Sequence, residues 1–238
     1  MSGSNGVSLQ DRLKKEAGIS AVDFIQSGMV LGLGTGSTVR FALEEIGKRY
    51  KDGRLTDIVG IPSSIDTDKR AKELGIPIIT FDEKQEIDLT IDGADEIDPD
   101  FNLIKGGGGA LLREKLVAQE SEREVIIADE SKLSPELGTN FKLPIEVMPF
   151  GWERQVVFVH SLGGKAIARK RDNDEFALSD QGNYLLDCDF GVIEDAAALA
   201  TQLEGRAGIV EHGLFLGLAT DVIVAGADGT KHHSIKSG

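Results

Sequence analysis

From Met29 to Ala128 the chain repeats one local pattern: a short apolar run, a turn of glycine or small polar residues, then a stretch with helical spacing. Met29–Leu33 leads into Gly34-Thr35-Gly36-Ser37-Thr38 and a helical pattern through Arg49. Thr56–Ile61 leads into a helix over Ile65–Leu74, with Gly75 as its stop. Ile76–Thr80 is a third short strand, which Pro77 assigns to an end or an edge, and Asp88–Ile91 is a fourth. Ala110–Gln119 is helical and Glu124–Ala128 is a fifth strand. An amphipathic helix over Asp11–Ser27 precedes the series and ends at Gly28. Strands that alternate with helices leave few topologies, because each crossover is right-handed and the strands run parallel with both sheet faces covered.

The texture changes after Phe141. Leu143–Val147 and Gln155–His160 read as extended, and Phe176–Leu178 and Tyr184–Asp187 flank a turn at Asp180–Asn183 as in a hairpin. Asp195–Leu203 is helical. Gly213–Leu218 and the very apolar Asp221–Ala225 then fit a buried strand that rejoins the first sheet. The expected fold is therefore α/β, a mainly parallel Rossmann-like sheet with helices on both faces, formed by residues 1–135 and 208–238. A smaller α+β domain, residues 136–207, is inserted into it.

Several function classes are disfavoured by composition. A formal charge of −14 argues against a nucleic-acid surface, which needs a basic patch. No apolar stretch approaches the ~20 residues of a membrane span, and Met1–Gln10 lacks the basic and apolar segments of a secretion signal. Cys188 is the only cysteine, so the chain forms no internal disulfide and no multi-cysteine zinc site, and a reducing cytoplasm is the economical location. His160, His212, His232 and His233 lack metal-site spacing, and the adjacent tail pair reads as exposed. No metal and no cofactor are expected.

Three segments carry chemistry. In Gly34–Thr38, glycines at a strand-to-helix turn let backbone N–H groups converge on an anion, while Ser37 and Thr38 add hydroxyls. The run is neither a Walker A sequence nor a dinucleotide fingerprint, and by itself it also reads as a structural turn. Asp92-Gly93-Ala94-Asp95-Glu96 follows an apolar strand, at the end where open α/β sheets bind ligands. Two aspartates three apart could face one pocket, although a solvated acidic loop fits the same residues; a calcium loop does not, because Ile97 stands where its glycine belongs. Lys105 precedes Gly106–Gly109 and a helix carrying Arg113, Glu114 and Lys115. Four glycines cost up to about 1 kcal/mol each in backbone entropy, more than a structural turn needs, whereas a backbone cradle for an oxyanion or a phosphate uses them all.

In this order the segments resemble one family, the type A ribose-5-phosphate isomerases. The matching runs are GLGTGST (32–38), DGADEID (92–98), KGGGGALLREK (105–115), ADESK (128–132), LPIEV with a following proline (143–149) and GLF (213–215). They span essentially the whole chain, from about Leu13 to about Gly229. Glu130, where a small residue is usual, and a longer N-terminus are the departures.

The resemblance implies interconversion of ribose 5-phosphate and ribulose 5-phosphate through an enediolate, in the non-oxidative pentose phosphate pathway. It places the base at Glu114 and a polar active-site group at Asp92, Asp95 and Lys105. Substrate contacts are implied at Lys14, Thr35, Gly36, Ser37, Thr38, Gly93, Ala94, Gly106, Gly107, Gly108 and Lys132. It further implies a homodimer or homotetramer that the inserted domain helps to form. Two alternatives stand beside this reading. One is a related sugar-phosphate deaminase or CoA transferase; the other is a non-catalytic sugar-phosphate sensor, for which the residues before Leu13 leave no room for a DNA-binding helix pair.

Overall fold

The computed structural model describes residues 8–235. Residues 1–7, on which part of the no-signal reading falls, and 236–238, at the end of the expected main domain, lie outside the described residues.

The main sheet has six strands. β1 (Val30–Leu33), β2 (Val59–Pro62), β3 (Leu89–Gly93), β6 (Glu124–Asp129) and β12 (Asp221–Gly226) are parallel, and β13 (Gly229–Ser234) pairs antiparallel with β12. The order is β13-β12-β6-β3-β1-β2. After β1 the chain moves outward to β2, then returns to the other side of β1 to form β3. The connections leaving β1 and β3 thus part in opposite directions, which opens a crevice at their carboxyl ends.

Helices cover both faces. α1 (Leu9–Val22) and α2 (Val39–Lys51) bury Ala17, Ala21, Leu43 and Ile46 against Val125, Ile127, Ile223 and Ala225. On the opposite face, Ile126, Ala128, Val222 and Val224 pack with Ala118 of α4 (Leu111–Gln119) and with Phe215. Neighbouring residues of β6 and β12 alternate between the two cores, which is why these strands are apolar throughout. α3 (Ile65–Glu73) follows β2.

A second, antiparallel sheet has the order β10-β7-β9-β8, from β7 (Leu143–Val147), β8 (Lys165–Ala168), β9 (Tyr184–Asp189) and β10 (Ile209–His212). α5 (Trp152–Ser161) and α6 (Ala196–Glu204) pack onto it through Val159, Ala200 and Leu203. A small third sheet joins β4 (Glu96–Ile97), β5 (Leu103–Ile104) and β11 (Leu214–Phe215).

The structure corrects four expectations. Gln155–His160 is helical, within α5. Its β-branched run favours extended backbone, but Gln155 and Val159, one helical turn apart, are the positions buried on the second sheet, and packing overrides propensity. Ile76–Thr80 forms a single bridge, Ile78 to Gly60, rather than a strand. Pro77 has no N–H to extend that ladder. Phe176–Leu178 is no continuous strand: Leu178 bridges Tyr184 antiparallel across the expected turn, but the strands that flank β9 in the sheet are β7 and β8. α1 ends at Val22, well short of Gly28. β13, which carries His232 and His233, has every residue exposed and so no apolar alternation to betray it.

Gly32 of β1 is fixed by sterics: a Cβ there would lie 1.7 Å from Thr90 Oγ1 and 2.7 Å from Val117 Cγ1. Gly32→Ala is expected to cost about 1–3 kcal/mol through overpacking, read as a lower urea midpoint at constant slope. An unchanged midpoint would contradict the packing of α4 on β1.

Candidate active site

The crevice between β1 and β3 gathers the residues singled out in the sequence. Lys14, Thr35, Gly36, Ser37, Thr38, Gly93, Ala94, Asp95, Lys105, Gly106, Gly108, Glu114 and Lys132 line one cavity of about 120 Å³. Asp92, 1% exposed, and Gly107, which is exposed, are not in this lining. A larger hollow of about 710 Å³ between the ends of α2 and α3 has no buried ionisable residue in its lining, so volume does not choose the site.

Each element sets one part of the geometry. Asp92, near the end of β3, accepts hydrogen bonds on Oδ1 from the backbone N–H of Thr35 (3.0 Å) and of Gly93 (2.7 Å). This carboxylate presses on Gly34, where a Cβ would meet Oδ1 at 2.3 Å, so the first glycine turn is shaped around the aspartate. Thr35 Oγ1 is backed by Ser63 Oγ at 2.8 Å and Thr67 Oγ1 at 3.2 Å. Lys14 of α1 donates to Ser37 Oγ at 3.0 Å. Two glycines of the second loop, Gly106 (φ +102°) and Gly109 (φ +81°), adopt left-handed backbone. Asp95 accepts from the Gly107 N–H at 2.7 Å.

Lys105 is the centre. Its ammonium is 3.1 Å from Asp92 Oδ2 and 3.1 Å from Glu114 Oε1, and it also donates to the Gly93 carbonyl. The Lys105 main chain is held by Gly213, whose carbonyl accepts from Lys105 N at 2.9 Å. A Cβ at Gly213 would stand 2.3 Å from the Lys105 carbonyl oxygen, which accounts for the glycine of the GLF run.

Helical geometry separates the REK triplet. Arg113 points toward Asp180 (3.7 Å), and Lys115 is bound by Glu211 (2.5 Å) and the His212 carbonyl (2.7 Å). Glu114 alone enters the cavity. Its Oε1 is held by Lys105, while Oε2 is buried with no hydrogen-bond partner among the described residues. The acidic segment divides in the same way: Asp92 and Asp95 face the site, whereas buried Glu96 binds the backbone N–H groups of Gly138 (2.7 Å) and Asn140 (2.8 Å). Glu130 turns away, its Oε2 accepting from Ala227 N at 3.4 Å.

Burial pushes the Glu114 carboxyl up to about 7; the Lys105 charge opposes the rise and Asp92 adds to it. Burial alone would lower Lys105, but Asp92 and then Glu114 hold it above its ordinary value and charged. Such a set offers one immobile cation, carboxylates that bracket it, and one carboxyl poised to gain or lose a proton near neutrality.

Sequence reasoning missed four contributors. Ser63, in the β2–α3 connection, and Thr67, in the first turn of α3, support Thr35. Glu124, at the start of β6, is buried and raised well above the carboxylate range by burial and by Asp92. Arg169, beside β8, donates to the carbonyls of Gly106 and Gly107. None lies in a motif; only the tertiary fold brings them here. Among the described residues, no group of three or more His, Cys, Asp or Glu could hold a metal ion, and no helix is long and apolar enough to cross a membrane.

The chain is similar to known proteins over most of its length. Residues 59–229 match the family described as ribose 5-phosphate isomerase A (phosphoriboisomerase A). The ribose-5-phosphate isomerase A of Desulfatibacillum aliphaticivorans is 54% identical over 93% of this chain and 96% of its own, and that of Chloroflexus aurantiacus 55% over 92% of each. A D-ribose-5-phosphate isomerase solved in complex with phospho-erythronic acid superposes with a TM-score of 0.93 at 36% identity, covering 96% of this chain and 100% of that one. The chain is an isomerase and belongs to the ribose 5-phosphate isomerase A family.

Proposed function

We propose that the chain interconverts ribose 5-phosphate and ribulose 5-phosphate through a cis-enediolate, with Glu114 carrying the proton between C2 and C1. The observation behind this assignment is the asymmetry of the Glu114 carboxyl on a side chain that lines the cavity: one oxygen is fixed by Lys105, and the other is buried and unpartnered among the described residues. The anionic form takes the C2 proton of the open-chain aldose. The electron pair left on C2 forms the C1–C2 double bond as the C1 carbonyl becomes an oxyanion. The same carboxyl, now protonated, returns its proton to C1 as the C2 hydroxyl gives up its proton, O1 gains one, and the C2 oxygen becomes the carbonyl.

Lys105 and the Gly108 N–H of the glycine loop stabilise the developing oxyanion, and Asp92 serves hydroxyl-proton transfer or ring opening. Asp95 orients the loop and the C2–C3 hydroxyls. The Lys105 ammonium supplies the electrophile, so a chelator is expected to leave turnover unchanged. Phosphate belongs at the mouth, with Lys14, Ser37, Thr38 and Lys132, because C5 is the carbon farthest from the reacting end. The carboxylate of phospho-erythronic acid, found on a relative, has two oxygens where an enediolate carries O1 and O2.

The reading extends to assembly and location. Residues 136–207 serve as the oligomerisation unit of a homodimer or homotetramer, supported by Met148, Phe150, Val157 and Ile167 exposed on it. The lone cysteine, Cys188, is buried, which suits a cytoplasmic enzyme without disulfides. Light scattering at micromolar concentration should give at least twice the 25.5 kDa chain mass; a monomer would remove the assembly part of the proposal.

Glu114→Gln should bind ribose 5-phosphate with little change in KM yet lose about 10²–10⁴-fold in kcat, together with solvent exchange of the C2 hydrogen. Near-normal turnover and exchange would pass the role of base to Asp92. Ribose 5-phosphate trapped on this variant should place its phosphate beside Lys14 and Ser37; phosphate on Gly106–Gly109 would reverse the orientation.

The base works as the anion, so kcat/KM should fall as pH drops through about 7. Lys105 lowers the Glu114 pKa, so Lys105→Met should move this acid limb upward while damaging both kcat and KM. An acid limb unmoved by Lys105→Met would contradict the coupling.

A further inference from the structure

The second sheet reaches the reacting end through one side chain. Arg169, immediately after β8, is anchored by Asp187 of β9, which accepts from its Nε at 3.1 Å and its Nη2 at 2.5 Å. Its backbone is fixed as well, donating to the Leu185 carbonyl at 2.7 Å. From this position Nη1 donates to the Gly106 carbonyl at 3.1 Å and to the Gly107 carbonyl at 3.0 Å. The guanidinium group is mostly buried, with 17% of the side chain exposed.

A run of four glycines has no side chains to resist rotation of its peptide planes; within the loop the Gly106 carbonyl accepts from the Gly109 N–H at 3.0 Å, and further restraint comes from outside it. In a trans peptide the carbonyl of one residue and the N–H of the next point in opposite directions. With the Gly106 carbonyl on Arg169, the Gly107 N–H is sent the other way, where it meets Asp95. With the Gly107 carbonyl on Arg169, the Gly108 N–H is likewise turned away from the guanidinium. Gly108 lines the cavity, and among the described residues its N–H has no protein acceptor.

We propose that Arg169, held by Asp187, is a positioning residue for the isomerisation: it locks the Gly106 and Gly107 carbonyls outward so that the Gly108 N–H stays aimed at the enediolate oxygen. This rests on the reading that the glycine loop meets the reacting oxygens. The lock is charge-assisted at both ends, and the cation also lies behind peptide dipoles that present their positive ends to the site. The segment placed outside the main sheet thereby contributes to catalysis as well as to assembly.

The test is steady-state kinetics on the full chain, with phospho-erythronic acid as the probe of enediolate binding. Arg169→Ala should lower kcat about 10–100-fold, less than loss of a donor that itself touches the oxyanion, and leave KM within about threefold. Affinity for the probe should fall in parallel with kcat. Free guanidinium at tens of millimolar, about the strength small-molecule rescue requires, should restore part of kcat without altering KM. Arg169→Lys keeps the charge but cannot bond both carbonyls and Asp187 together, so it should recover only part of the loss.

A kcat within twofold of the parent overturns the proposal, as does a loss confined to KM, or a kcat loss with probe affinity unchanged and no rescue. If Arg169→Ala does not fold, Asp187→Asn decides, since it frees the guanidinium and should give the same split at smaller size; unchanged kcat and probe affinity there overturn the proposal too. Gly108→Ala separates this inference from its premise. Its Cβ would meet nothing closer than Thr35 Cγ2 at 4.0 Å, so the fold tolerates it while the methyl group enters the cavity. If Gly108→Ala keeps full kcat, the oxyanion role of the loop is wrong. If Gly108→Ala is damaged and Arg169→Ala is not, only the role of Arg169 is wrong.

Discussion

The ammonium of Lys105, buried between Asp92 and Glu114, is the interaction on which the rest of this structure depends. Removing three ionisable groups from water is costly, and a buried ion pair seldom adds net stability over a well-packed apolar one. The cluster is satisfied by specific backbone groups: Asp92 takes two N–H donors, and Lys105 donates to the Gly93 carbonyl. Those contacts in turn require Gly34 and Gly213 to have no side chain. What the arrangement gains is chemical. One positive charge among acidic neighbours keeps Asp92 paired and leaves Glu114 balanced between burial, which favours its neutral form, and Lys105, which favours its anion.

The fold supplies the place for this cluster. β1 and β3 are neighbours whose outgoing connections diverge, so the turn after β1 and the acidic segment after β3 face each other across the crevice. The loop at Gly106–Gly109 arrives from the small sheet formed by β4, β5 and β11, and the second sheet clamps it from outside through Arg169. Three sheets thus converge on a cavity of about 120 Å³. The cations are divided between its ends: Lys14 and Lys132 at the mouth, Lys105 at the base. An excess of acid over the whole chain is compatible with an anionic substrate, because the proposed phosphate position at the mouth answers to the local field there rather than to the net charge of −14.

Much of this was legible in the sequence because backbone chemistry leaves marks there. Glycines that approach a carboxylate or take left-handed backbone stand out as GTGST and KGGGG, and the parallel strands read as apolar runs because both faces are buried. α5 was misread because Val156, Val157, Phe158 and Val159 favour strand locally, and only the second sheet shows which of its positions are buried. β13 has no apolar face and borrows its order from β12. Arg169 sits in a stretch with Lys165, Lys170 and Arg171, and nothing local distinguishes the one cation that reaches the glycine loop. Glu124 looked like the polar start of an apolar strand, and its coupling to Asp92 arises only once β3 and β6 are paired. Local turn chemistry is written in the chain; long-range partners of ordinary charged residues are not.

Lys105 and burial together set the Glu114 carboxyl to titrate near neutral pH. Carbon-13 NMR of protein labelled at the glutamate side-chain carboxyl carbon measures this directly. One resonance should titrate near pH 7, be absent from the Glu114→Gln spectrum, and move to higher pH in Lys105→Met. A Glu114 resonance that titrates in the ordinary glutamate range, about 4.3, and is indifferent to Lys105 would contradict it.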